Sequence, residues 1–195
     1  ELLGGDEAFN KKLDELFSMS SELGDEASMD ITGLIGQYAH GNEPSHHTTY
    51  MYAYSGEHYK IADKVRYINN ELYTDEPDGL SGNEDCGQMS AWYILSSMGF
   101  YPVNPSNGAY VFGSPLFDEV SLNIPGQNKF KISAKNNSDE NIYIQSVSLN
   151  GEDYKYSYIT HKQILEGGKL KFVMGPNPNK NFGTEKKYRP KSIVY

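Results

Sequence analysis

Asp78-Gly-Leu-Ser-Gly-Asn-Glu-Asp-Cys-Gly-Gln-Met-Ser-Ala-Trp92 passes from a glycine-rich loop into an apolar run, Met89 to Met98, that reads as a buried helix. Two adjacent carboxylates, Glu84 and Asp85, stand at the junction. Asp85 is placed to cap the helix, because a carboxylate there accepts a bond from an orphan backbone N–H. The bland reading is a capped helix with an acidic first turn. A second loop of the same kind argues for more. His40-Gly-Asn-Glu-Pro-Ser-His-His47 again sets Gly-Asn-Glu before a predicted helix, with Pro44 holding Glu43 in an extended or turn conformation. Here too a structural reading exists, in which Asn42 and Ser45 cap and His46 and His47 are ordinary first-turn residues.

Helical spacing dominates the first hundred residues. Phe9, Leu13, Leu16 and Phe17 share one face of a predicted helix over 6–23, with Asp6 as cap and Gly24 as stop. Ile31, Leu34, Ile35 and Tyr38 predict a second helix over 30–39, although Gly33 and Gly36 interrupt it. Ser45 opens a third, closed by Gly56, and Ile61, Val65, Ile68 and Leu72 mark a fourth within 57–73. With the helix after Asp85, this predicts about five helices joined by short loops, arranged as helical hairpins.

Past Phe100 the pattern changes to short alternating runs: Tyr110–Phe112, Val120–Ile124, Phe130–Ala134, Ile142–Ile144, Val147–Leu149 and Leu170–Val173. Period two between Gly, Asn and Pro clusters predicts antiparallel β-structure, with Asn150-Gly151 as a hairpin turn. The fold class is therefore α+β. A Pro- and Asn-rich connector at 101–108 divides residues 1–104 from 105–195, and the tail from Pro176 is predicted to be loosely ordered.

The chain carries 17 basic and 26 acidic residues, a net charge of -9, which argues against nucleic acid and anionic membranes as partners. A single cysteine, Cys86, excludes an internal disulfide and any multi-cysteine metal cluster. No apolar run is long enough to predict a membrane span. The 16 tyrosines suit sheet packing and also suit carbohydrate. The adjacent His46-His47 pair lacks the i, i+4 spacing of a zinc helix. Asn42, Glu43, Glu84 and Asp85 instead offer the oxygen ligands of a hard cation such as calcium.

Gly41-Asn-Glu-Pro-Ser-His-His47, the run from Tyr73 to Tyr93, Gly99-Phe-Tyr-Pro-Val103 and Gly113-Ser-Pro-Leu-Phe117 together resemble, in order, the C-terminal part of glycoside hydrolase family 92, the calcium-dependent exo-acting α-mannosidases. The resemblance implies that residues 1–104 are the last part of an (α/α)6 barrel, followed by β-sandwich-like strands. It implies inverting hydrolysis of terminal α-mannosides, with Asp85 as general base and Asn83 beside it, where some relatives carry an acidic residue. It places Asn42 and Glu43 at the Ca2+ and makes His46, His47, Gln88 and Glu84 candidates for contact with a mannose-containing glycan. The general acid would lie on a missing N-terminal part of the same chain, so the fragment alone is expected to be inactive, since inversion needs both carboxyl groups. An extracytoplasmic location follows from the resemblance. The rival reading is a non-catalytic carbohydrate-binding or structural module whose aromatic β half binds glycan. A helical-barrel glycosidase acting on α-glucosides would share the architecture but leave both Gly-Asn-Glu loops unexplained.

Overall fold

A computed structural model describes residues 3–22, 31–126 and 129–192. Helix α1 (Asp6–Ser18) is followed by a short hairpin, β1 (Leu34–Ile35) and β2 (Tyr38–Ala39), then by the helices α2 (Tyr52–Ser55), α3 (Lys60–Glu71) and α4 (Gln88–Met98). Helices α1 and α2, α2 and α3, and α3 and α4 pack as successive pairs. Their shared core holds Trp92, Tyr38, Tyr50, Tyr52, Ile61 and Ile68, all essentially inaccessible to solvent. Burying each such side chain contributes roughly 1.5–3 kcal/mol.

The helix predicted over 30–39 is a correction. Leu34 pairs with Ala39 and Ile35 with Tyr38, because Gly33 and Gly36 adopt positive φ (63° and 61°) that turns the chain back on itself. Asp30 lies outside the described residues, as does Gly24, the predicted stop of α1. The segment opened by Ser45 forms two 3-10 turns, Glu43–Ser45 and Thr48–Tyr50, before α2, and Gly56 closes it at φ 86°. Pro44 sits in the first turn of the first of these, where its missing N–H costs nothing, and Asn42 before the turn is extended (φ -113°).

In the second half, β3 (Phe100–Asn104), β4 (Ala109–Phe112) and β9 (Tyr158–Thr160) form one antiparallel sheet in the order β3-β4-β9. Five strands form the other: β5 (Glu119–Leu122), β6 (Phe130–Lys135), β10 (Gly168–Gly175), β7 (Tyr143–Leu149) and β8 (Glu152–Asp153), in the order β5-β6-β10-β7-β8. The predicted all-antiparallel pairing needs one correction, since β6 and β10 run parallel. That pairing is reached by a long crossover through β7, β8, β9 and helix α5 (His161–Leu165). The two sheets face each other across Phe112 and Phe172, whose rings meet edge to face at 5.1 Å. Asn150 and Gly151 take the left-handed conformation predicted for the β7–β8 turn (φ 54° and 91°).

Buried Arg66 of α3 ties the two halves together. Its Nε donates to Ser114 Oγ (3.0 Å), and its Nη2 donates to the Pro115 carbonyl (2.6 Å) and to Asn137 Oδ1. The tail departs from the prediction of loose order. Arg189 donates to Asp6 of α1 (2.7 Å) and to the Thr184 carbonyl, while the Ser157 N–H donates to the Tyr188 carbonyl (2.9 Å).

Candidate active site

The two Gly-Asn-Glu loops meet backbone to backbone at their glycines. A Cβ on Gly82 would lie 2.8 Å from both the Cα and the carbonyl oxygen of Gly41, and one on Gly41 would run into the Ser81 carbonyl. Only hydrogen fits at either position. Neighbouring backbone bonds hold the approach: Gly41 N–H donates to Thr32 O (3.1 Å), His40 N–H donates to Gly33 O (3.0 Å), and the Thr32 hydroxyl donates to the Ser81 carbonyl. The residues next along from each glycine, Asn42-Glu43 and Asn83-Glu84, therefore leave from adjacent points.

The second loop enters α4 through three consecutive left-handed residues, Asp85 (φ 47°), Cys86 (φ 58°) and Gly87 (φ 90°). For Asp and Cys this conformation costs roughly 1–2 kcal/mol each relative to ordinary backbone. The turn corrects the capping prediction. Glu84, not Asp85, holds the helix start, its Oε1 accepting from Ser90 N–H (3.0 Å) and its Oε2 from the Ser90 hydroxyl (2.7 Å). Those bonds hold the Glu84 carboxyl below its usual range. Met89 N–H also donates to Glu84 O (3.2 Å) and Gln88 N–H to Asp85 O (3.2 Å). The left-handed turn displaces Asp85 from the capping position, and both Asp85 and Asn83 are exposed. Among the described residues no hydrogen bond engages the Asp85 carboxylate.

Behind the loops lies a buried aromatic and imidazole cluster. His40 stacks on His46 (centroids 4.6 Å apart) and meets Trp92 edge-on (4.5 Å). The hydrogen bonds fix both tautomers. The Tyr73 hydroxyl donates to the Met89 carbonyl (3.0 Å), so it accepts from His40 Nε2–H (2.7 Å), and His40 Nδ1 then accepts from the Tyr38 hydroxyl (2.8 Å). Burial, with His46 beside it, pushes His40 down to about 3, so the ring is neutral. His46 Nε2–H donates to the His40 carbonyl (2.9 Å), leaving Nδ1 to accept from the Gln88 carboxamide (3.1 Å). Gln88 Nε2 also donates to the Tyr101 hydroxyl (3.0 Å). With both amide hydrogens engaged, Gln88 presents only its Oε1, as an acceptor.

The predicted residues thus fall into two layers. Asn42, Glu43, His47, Asn83 and Asp85 are exposed or half-buried at the loops, and no side-chain hydrogen bond occupies them among the described residues. His46 is buried behind half-buried Gln88, and Glu84 is bound to Ser90. Sequence reasoning missed His40, Tyr73, Tyr101 and Ser90. His40 directly precedes Gly41 and was the one with a usable signal; the tyrosines were hidden among many others. A cleft of about 600 Å³ opens beside Ser90, lined by Tyr73, Tyr93, Asn70 and Ile94. Its one carboxylate is Asp75, and it includes neither Glu43 nor Asp85, so this hollow is separate from the loop pair.

Asn42 and Glu43 form an all-oxygen donor set. Among the described residues no group of three His, Cys, Asp or Glu side chains is gathered as a metal cluster. Calcium does not require one, since it accepts amide and backbone carbonyl oxygens, and the Asn42 side chain is not spent on capping. These oxygen donors suit a hard cation better than zinc, whose sites are built mainly from Cys and His.

The loop pair thus offers exposed Asp85 and half-buried Glu43, with the locked Gln88 amide and the buried aromatic cluster behind them. Sequence comparison gives the family. The glycosyl hydrolase family 92 catalytic domain matches residues 1–176, and the chain belongs to that family. It is 43% identical to the family 92 α-mannosidase BT3965 of Bacteroides thetaiotaomicron, solved with mannoimidazole, with a TM-score of 0.90 over 97% of this chain and 25% of that one. The inverting mannosidase BT2199 of the same organism is 36% identical, with a TM-score of 0.84 over 98% of this chain and 27% of that one. An uncharacterized secreted glycosidase of Arthroderma benhamiae is 33% identical over 78% of this chain and 20% of its own length. The chain therefore spans about a quarter or less of these relatives.

Proposed function

We propose that this chain is the C-terminal part of the catalytic unit of an exo-acting, inverting, calcium-dependent α-mannosidase that removes terminal α-mannose from glycans outside the cytoplasm. Residues 1–104 would complete an (α/α)6 barrel, with 105–195 as the β region beside it. The observation that supports the reading is the contact of Gly41 with Gly82, the residues from which Asn42-Glu43 and Asn83-Glu84-Asp85 continue. Asp85 is the general base. Exposed and unpaired among the described residues, it accepts a proton from water as that water attacks the anomeric carbon. Asn83 orients the water through its amide. Gln88 accepts a sugar hydroxyl at Oε1, and His46, behind it, fixes the amide so that the oxygen faces outward. His47 and Glu84 border the same ring, Glu84 also holding the α4 N-terminus in place. Asn42 and Glu43 would hold Ca2+, which supplies a hard Lewis acid for sugar hydroxyls.

The general acid is assigned to a segment outside these 195 residues, so the chain alone should not turn over α-mannosides. In the full-length parent, Asp85→Asn should lower kcat by about 10²- to 10⁴-fold with little change in thermal stability. Mannoside hydrolysis that survives this substitution would remove Asp85 from the mechanism. Turnover by the chain alone would place the acid within it.

A further inference from the structure

The polar tail builds a second recess, on the β half. Gln145 of β7 donates through Nε2 to the Asn177 carbonyl (2.9 Å) and the Tyr143 carbonyl (3.2 Å). Asn179 returns a bond from Nδ2 to the Gln145 carbonyl (2.9 Å), and its Oδ1 accepts from Asn181 N–H (3.1 Å). These bonds stand the tail against β7 as a ridge and leave a cleft of about 200 Å³. Its walls are aromatic, with Tyr154, Phe182 and Tyr188, and its rim carries amides, the carboxylates of Asp153 and Glu185, and Lys155.

We propose that this cleft is a second carbohydrate-binding site, taking one neutral sugar ring of a glycan away from the loop pair. Three observations support it. First, the rim carries no uncompensated field: Asp153 lies 3.9 Å from Lys155, and Glu185 lies 3.0 Å from Lys187, so neither an anion nor a cation is favoured. Second, the groups left free are those that read hydroxyls. Gln145 Nε2 is committed to backbone, leaving Oε1 as an acceptor, while the exposed Asn181 carboxamide carries both donors and an acceptor. Third, the aromatic wall is fixed before any ligand arrives. The Tyr154 hydroxyl donates to the Tyr158 carbonyl (3.0 Å), and Tyr156 stands against Tyr154, Tyr158 and Tyr188 with centroids 5.5, 5.6 and 5.3 Å away. A polar rim over a rigid aromatic wall suits a ring that has one apolar face and several hydroxyls. No residue of the cleft belongs to the loop pair, so the inference does not rest on the catalytic reading.

The test is a titration of the ¹⁵N-labelled 195-residue chain with mannotriose and, separately, maltotriose, following backbone amides. Saturable millimolar shifts at Tyr154, Asn181 and Tyr188 with either sugar are expected. They should weaken by about tenfold or more in Asn181→Ala and in Tyr188→Ala, and persist in Asp85→Asn. Asn181 is exposed, so its variant keeps the fold and carries the test even if Tyr188→Ala does not. Unmoved cleft amides at tens of millimolar sugar, shifts confined to residues 83–88, or shifts that survive Asn181→Ala undiminished would each overturn the proposal.

Discussion

The same tripeptide, Gly-Asn-Glu, occurs at 41–43 and at 82–84, and the two copies behave differently. In the first, Asn42 is extended (φ -113°) and Glu43 opens a 3-10 turn whose side chains cap nothing. In the second, the Glu84 carboxylate is consumed by Ser90 and the chain swings through three left-handed residues. The residues just C-terminal to each copy make the difference. Pro44 stiffens the first and leaves Glu43 available. Asp85-Cys-Gly bends the second, so that Glu84 becomes the structural carboxylate and Asp85 the available one. A motif alone does not say which of its acids is free.

Acid should separate the loops most strongly. His40 and His46 belong to the first loop and none to the second, and burial holds His40 at about 3 and distant His58 at about 4, against 6.5 when unfolded. Both rings stay neutral in the fold while the unfolded chain takes up protons, so stability is complete above pH 6.5 and falls below it. The expected slope is roughly 1.4 kcal/mol per pH unit for each histidine until its folded value is reached. Urea unfolding at pH 7.0, 6.0 and 5.5 measures it. A flat stability across that window would show that the two rings are not held neutral.

Removing the free acid of the first loop comes next. Glu43→Gln should weaken calcium binding, followed by calorimetry on the full-length parent, by about 100-fold. Unchanged calcium affinity would take Glu43 out of the metal site. Gly82→Ala attacks the junction itself. With backbone and not a flexible side chain in the way, the added methyl should cost about 1–3 kcal/mol in chemical denaturation. A neutral result would mean that the loops are free to part.

The smallest effect should come from the strained turn. Cys86→Gly relieves the left-handed cost of roughly 1–2 kcal/mol, but glycine loses about 0.4–1 kcal/mol more entropy on folding. The net gain should therefore be under about 1.5 kcal/mol, read as a small rise in Tm. A clear loss of stability would mean that the Cys86 side chain makes a contact that matters.

Much of the scaffold was legible because its signals are local. Ile61, Val65 and Ile68 repeat at helical spacing and are buried as predicted, and Asn150-Gly151 has few conformations other than the tight turn it makes. Local signals failed where two structures share one spacing. Leu34, Ile35 and Tyr38 fit a helical face and equally a hairpin, and the positive φ of Gly36 decided for the hairpin. Pairing partners were also beyond reach: β10 alternates like its neighbours, and nothing in its own residues says that it runs parallel to β6.

For the site, the sequence by itself determined the inventory: two Gly-Asn-Glu loops, Asp85, the histidine pair, and a net charge of -9 that disfavours nucleic acid. Only the tertiary structure decided that Gly41 and Gly82 touch, that Glu84 and not Asp85 binds the first turn of α4, and that His46 lies behind Gln88. The physical reason is that composition and spacing fix what each group can donate or accept. Which partner satisfies it depends on segments some forty residues apart in sequence being packed together, as Gly41 and Gly82 are.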